Sequence, residues 1–186
     1  MNLVAFLATL SDLFERAGTP YMVCGSVAST FYSASRSTRD VDVVMTLDGA
    51  ALNNLIAQLP KDQYYVDRDT ARSAILRRSM FNIIDIASGW KVDVIVRKNR
   101  AFSREEFKRR VLVDYHGVAL YIATVEDCIL SKLEWAFKSG SERQLADVQS
   151  LLAVSQGALD HEYLARWVPA LGVNALWNQV QHAAPL

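Results

Sequence analysis

Arg39-Asp-Val-Asp-Val-Val44 decides the fold, together with its echo in Lys91-Val-Asp-Val-Ile-Val96. In both stretches aspartate alternates with β-branched apolar residues, the period-two pattern of a strand with one buried face. Asp40 and Asp42 then share one face, with Val41 and Val43 packed behind them, and Asp93 repeats the arrangement on a second strand. If the two strands are close in one sheet, three carboxylates converge, which costs several kcal/mol unless cations neutralise them. The pattern points to a divalent-metal site. The competing reading of Asp40 and Asp42 is an exposed sheet edge, where charge resists aggregation.

Upstream, Tyr21-Met-Val-Cys24 reads as a short buried strand stopped by Gly25-Ser26, with a helix of small and aromatic residues from Val27 to Ser35. Before it, Leu3, Phe6, Leu7, Leu10, Leu13 and Phe14 recur at helical spacing and no basic leader precedes them, which predicts an amphipathic helix and not a signal peptide. Downstream, Asp48 is the expected N-cap of a helix over 49–59, Tyr64-Tyr-Val66 is a third strand, and a short helix runs from Thr70 to Arg78. Phe81 to Ile86 and Lys91 to Val96 form a hairpin around Ala87-Ser-Gly-Trp90. An ungapped turn at Ser88-Gly89 sets Ile84 across from Asp93 and sends Asp85 to the other face, in a structural role. Ser103-Arg-Glu-Glu106 reads as a capping box opening a helix to Arg110, and a second hairpin turns at His116-Gly117. Thr124-Val-Glu-Asp127 resembles a capping box opening a helix to Lys138, Ser139-Gly-Ser141 breaks it, Glu142 to Ser155 continues helically up to Gly157, and the remainder reads as helix packing on the core.

The chain of 186 residues is 51% apolar and carries twenty basic and twenty acidic side chains, so a nucleic-acid partner would be held by a local patch and not by a global field. The expected organisation is a core over 1–123 and a helical C-terminal segment over 124–186. Cys24 and Cys128 fit no ligand spacing and read as reduced core thiols in a cytoplasmic protein; zinc is not expected. No apolar run is long enough to cross a bilayer, so no membrane partner is expected. His116, His161 and His182 receive no role.

Cys24-Gly25-Ser26, a spacer of thirteen residues, Asp40-Val-Asp42-Val and later Val92-Asp93-Val94 resemble the DNA polymerase β nucleotidyltransferase superfamily. That resemblance implies an α+β nucleotidyltransferase fold, a mixed β-sheet flanked by helices with a helical C-terminal segment. It also implies a catalytic triad of Asp40, Asp42 and Asp93 that binds two Mg²⁺ ions, with Asp93 as general base or as metal ligand. Magnesium prefers oxygen ligands and binds through one or two carboxylates plus substrate phosphates, which suits the donor set. Gly25-Ser26 would hold the triphosphate of an NTP such as ATP, since glycine admits a phosphate to the backbone and a helix start presents unpaired N–H groups to it. The implied reaction moves a nucleoside monophosphate from an NTP to a hydroxyl acceptor.

Arg36-Ser-Thr-Arg39-Asp40-Val-Asp42 is similar to the version in AbiE-type toxins, which implies tRNA as acceptor, a cognate antitoxin as partner, and Arg36 and Lys132 as phosphate-binding residues. Arg143 and Asp147 lie four apart, and an intrahelical ion pair explains them as well as a functional role does. The basic residues from Arg97 to Arg110 read equally as an RNA-backbone patch or as a solvated surface balanced by Glu105 and Glu106. Two other functions stay open: a small-molecule, antibiotic-type nucleotidyltransferase, and a non-catalytic nucleotide- or partner-binding module.

Overall fold

The computed structural model describes residues 1–33, 38–155 and 157–182. Along the chain run α1 (Leu3–Arg16), β1 (Tyr21–Cys24), α2 (Gly25–Tyr32), β2 (Asp40–Met45), α3 (Gly49–Ala57), β3 (Tyr64–Tyr65), α4 (Arg68–Arg77), β4 (Met80–Asp85) and β5 (Lys91–Val96). There follow α5 (Ala101–Arg109), β6 (Val111–Tyr115), β7 (Val118–Ile122), α6 (Val125–Ser139), α7 (Glu142–Val154), α8 (His161–Ala170) and α9 (Asn174–His182). The described residues form two compact units, one of residues 1–24 and 38–123, the other of residues 25–33 and 124–182.

Among the described residues all seven strands belong to the first unit, in the order β3-β4-β5-β2-β1-β7-β6. β2 runs parallel to β5 and antiparallel to β1, and β7 is parallel to β1. The sheet is mixed, as the α+β reading requires. Strand alternation sets its interior: Val41, Val43 and Met45 of β2, Val92, Val94 and Val96 of β5, and Phe81 and Ile83 of β4 are all buried. Each such side chain contributes roughly 1.5–3 kcal/mol by leaving water. α1 lies against β7, burying Phe6, Leu7, Leu10, Leu13 and Phe14 along one stripe, and Phe6 stacks on Trp90 with ring centroids 5.3 Å apart. β2 lies between β5 and β1, so Asp40 and Asp42 are not on a sheet edge.

Local departures from the sequence expectations have physical causes. α2 opens at Gly25 and not at Val27, because Gly25 adopts a left-handed backbone (φ 61°) and turns β1 into the helix with no intervening loop. α5 begins at Ala101, so Ser103 is no N-cap; its hydroxyl instead accepts a hydrogen bond from Arg100 Nε at 2.9 Å. In the β4–β5 hairpin Asn82, not Ile84, pairs with Asp93. The shift is two residues, so Asp85 keeps the expected face. It is buried and closes the turn by accepting hydrogen bonds from the Ser88 amide at 2.7 Å and the Ser88 hydroxyl at 2.6 Å. Those bonds hold a longer turn than a tight Ser88-Gly89 reversal, and the register slips accordingly.

In the second unit, Thr124 caps α6 and also donates from its hydroxyl to Asp127 at 2.8 Å. Tyr163 of α8 donates its hydroxyl to the other Asp127 oxygen at 2.6 Å, and Glu126 accepts the Asp160 amide hydrogen bond at 3.0 Å. A helix cap thus doubles as the joint between α6 and α8. α2 packs on α6 and α7.

Candidate active site

Residues directly paired across a sheet project from the same face. The pairings place Cys24, Asp42, Asp93 and Asn82 in one row across β1, β2, β5 and β4. The adjoining row on that face is Asp40, Lys91 and Ile84. The three aspartates named from the sequence therefore meet on one face of two neighbouring parallel strands, with Asp42 beside Asp93 and Asp40 one step along. Their exposure falls across the site: the Asp40 side chain is 54% exposed and that of Asp93 13%.

Two side chains that the sequence reading passed over complete this surface. Asn82 Nδ2 donates to Asp93 Oδ1 at 2.6 Å. Lys91 Nζ lies 3.2 Å from the same Asp93 oxygen and 3.4 Å from Asp40 Oδ1, bridging the two acids. Partial burial pulls the Lys91 pKa down, but the hydrogen bond and charge of Asp93, joined by Asp40, outweigh it and leave the ammonium above the ordinary lysine value. The signal for Lys91 was present in the sequence, two residues before Asp93 and hence on its face. Nothing local marks Asn82; only the register of the hairpin brings it in.

Among the described residues no three acidic, cysteine or histidine side chains close into a metal cage. The donor set nevertheless fits magnesium, which needs only one or two carboxylates when phosphate oxygens and water supply the rest. The Lys91 ammonium, a cation between two carboxylates, shows that this face accepts positive charge. The Asn82 hydrogen bond and the Lys91 ion pair both use Asp93 Oδ1.

Gly25 and Ser26 are the first residues of α2, directly after Cys24, which pairs with Asp42 and directs its thiol at the Asp42 carbonyl at 3.5 Å. Arg36, expected to bind phosphate, lies outside the described residues. Lys132 is buried at 5% exposure on α6, donating to Asp147 at 2.6 Å and to Gln144 at 3.4 Å. Asp147 therefore pairs across helices with Lys132 and not along its own helix with Arg143. Of the basic stretch, Lys98, Arg104 and Lys108 are exposed. Arg97 reaches Thr46 at 3.2 Å and lies over Phe107, and Arg110 sits over Phe107 and Tyr121 while donating to the Phe107 carbonyl.

The sequence matches no protein-family model and no curated protein. Its fold is similar to that of solved nucleotidyltransferases. ANT(2")-Ia, solved with adenylyl-2"-tobramycin, matches at TM-score 0.57 and 12% identity over 95% of this chain and 97% of its own. An antigenic nucleotidyltransferase-like protein from Paracoccidioides brasiliensis matches at TM-score 0.56 and 16% identity, over 98% of this chain and 93% of its own. The lincosamide adenylyltransferase LnuA, bound to lincomycin, matches at TM-score 0.53 and 14% identity over 78% of this chain and 94% of its own. At these identities what is shared is the fold: this chain has the nucleotidyltransferase architecture.

Proposed function

We propose that the protein is a Mg²⁺-dependent nucleotidyltransferase that moves a nucleoside monophosphate from an NTP to a hydroxyl acceptor and releases pyrophosphate. One observation carries the reading: Asp42 and Asp93 are register neighbours on parallel β2 and β5, with Asp40 on the same face. Asp40, Asp42 and Asp93 would hold two Mg²⁺ ions, which supply charge neutralisation at the α-phosphate and acidify the acceptor hydroxyl. In the transfer, the acceptor oxygen bonds to the α-phosphorus as the bond to the pyrophosphate oxygen breaks. Asp93 is the candidate to receive the hydroxyl proton, and Asn82 fixes its carboxylate through Oδ1. The backbone of Gly25 and Ser26 would hold the triphosphate, with Arg36. Lys132 would join them only by exchanging Asp147 for a phosphate oxygen. The core over 1–123 carries the acids, and the segment over 124–186 carries Lys132.

For the acceptor, the toxin-like reading names tRNA, with a cognate antitoxin as partner. Exposed Lys98, Arg104 and Lys108, downstream of Asp93 on the same unit, support a polyanionic acceptor. A second reading, an antibiotic-type hydroxyl acceptor, draws on the fold shared with ANT(2")-Ia and LnuA. The test incubates the protein and its Asp40→Asn/Asp42→Asn variant with each α-labelled NTP, Mg²⁺ and either total tRNA or a panel of aminoglycosides and lincosamides. Label in tRNA with the wild type alone supports the toxin-like reading, and label in a small molecule supports the second. Nucleotide binding with no labelled acceptor would replace both with a binding module.

A further inference from the structure

Lys91 occupies a position that the proposed chemistry does not call for. It pairs with Asp40 across β2 and β5 and stands two residues before Asp93 on the same strand face, so its ammonium reaches both acids, at 3.4 and 3.2 Å. A metal ion bound through those carboxylates lies within a few ångströms of the ammonium, where like charge repels it at short range. Asp93 is held independently by Asn82 at 2.6 Å, so it keeps its place when the lysine leaves. The Lys91 side chain is 36% exposed, with solvent into which it can withdraw.

We propose that Lys91 is a built-in counter-cation that bridges Asp40 and Asp93 before metal binds and is displaced when a divalent ion arrives, so that it sets the affinity of the site for metal. The inference rests on the reading of these acids as a metal site. Lys91 keeps the acids close together without metal, and it weakens binding of a free ion. An ion that enters with a triphosphate has part of its coordination shell already filled, and it needs fewer of the oxygens that Lys91 holds. Lys91 acts through Asp40 and Asp93 and is a positioning residue.

The test measures Mn²⁺ affinity of the full chain by electron paramagnetic resonance, without nucleotide, for wild type, Lys91→Gln, Lys91→Arg and Asp42→Asn. Removing the charge in Lys91→Gln should tighten Mn²⁺ binding at least tenfold, and Lys91→Arg, which keeps it, should stay within about threefold of wild type. Lys91→Gln should also lose thermal stability without metal and gain more from added Mn²⁺ than wild type does, a linkage that reports binding to the folded state. A merely structural lysine would not raise affinity on removal. If Lys91→Gln binds Mn²⁺ as wild type does or more weakly while Asp42→Asn abolishes binding, the metal reading stands and the role of Lys91 is overturned. If wild type and Asp42→Asn bind Mn²⁺ with the same measurable affinity, or if even Lys91→Gln binds none, the metal reading fails and the inference with it.

Discussion

Lys132 and Asp147 illustrate how a side chain's surroundings fix its energetic role. Both are largely withdrawn from solvent, with side-chain exposures of 6% and 16%, and their charged atoms meet at 2.6 Å. Truncating one partner strands the other charge, so Lys132→Ala should lower unfolding free energy by about 3 kcal/mol in urea titrations, and Lys132→Met/Asp147→Leu should recover most of that loss. Asp67 makes an opposite, solvent-facing case. Its carboxylate accepts the Thr70 amide hydrogen bond at 2.6 Å as the α4 cap, and that backbone bond, with a side-chain bond to Thr70, holds its pKa below the ordinary aspartate value. A depressed folded pKa gives stability that is complete above the unfolded value and is lost as pH falls through the folded one. Asp67→Ala should therefore be less stable than wild type at pH 7, and the gap should close below about pH 4. Asp40, Asp42 and Asp93 were legible in the sequence because alternation assigns faces without any tertiary knowledge. Asn82 and the partner of Lys132 were not, because each depends on a register or a helix pairing set by distant residues.

The β6–β7 hairpin was readable in detail because its turn has strict backbone demands. His116 and Gly117 both take positive φ, 52° and 87°, the geometry of a primed two-residue turn, and Asp114 accepts the Gly117 amide hydrogen bond at 2.6 Å. Gly117→Ala should lower stability by about 1 kcal/mol, and His116→Asn should match or exceed wild type, since asparagine tolerates the left-handed region better; thermal unfolding reads both. The β4–β5 hairpin was readable only in outline. Its faces followed from alternation, but its register depended on how Asp85 bonds to Ser88, which no count of intervening residues reveals. Helix starts divide the same way. Asp48 and Thr124 cap by side chain and lie where sequence puts them, whereas α5 begins at Ala101 behind Arg100, a cap residue with no side-chain cap bond that stands three residues before the Ser103 of the capping-box pattern.

For the molecule as a whole, the sheet order follows from strands of two kinds. β2 and β5 each bury one wholly apolar face and carry the aspartates on the other, and they occupy neighbouring central positions where the apolar face is covered. β3, two residues long, ends the sheet on one side and β6, with Val111 and Leu112 exposed, on the other. The strand pattern carried the fold; it did not reveal that α2 would pack with α6 and α7. The claim that unites fold and function is that Asp42 and Asp93 jointly hold a metal ion on this central face. Anomalous diffraction from crystals grown with Mn²⁺ and a non-hydrolysable NTP tests it most directly. The account predicts an anomalous peak about 2.1 Å from carboxylate oxygens of both residues, with a phosphate oxygen in the same shell. Nucleotide bound with no manganese at these two aspartates, or manganese held elsewhere, would contradict it.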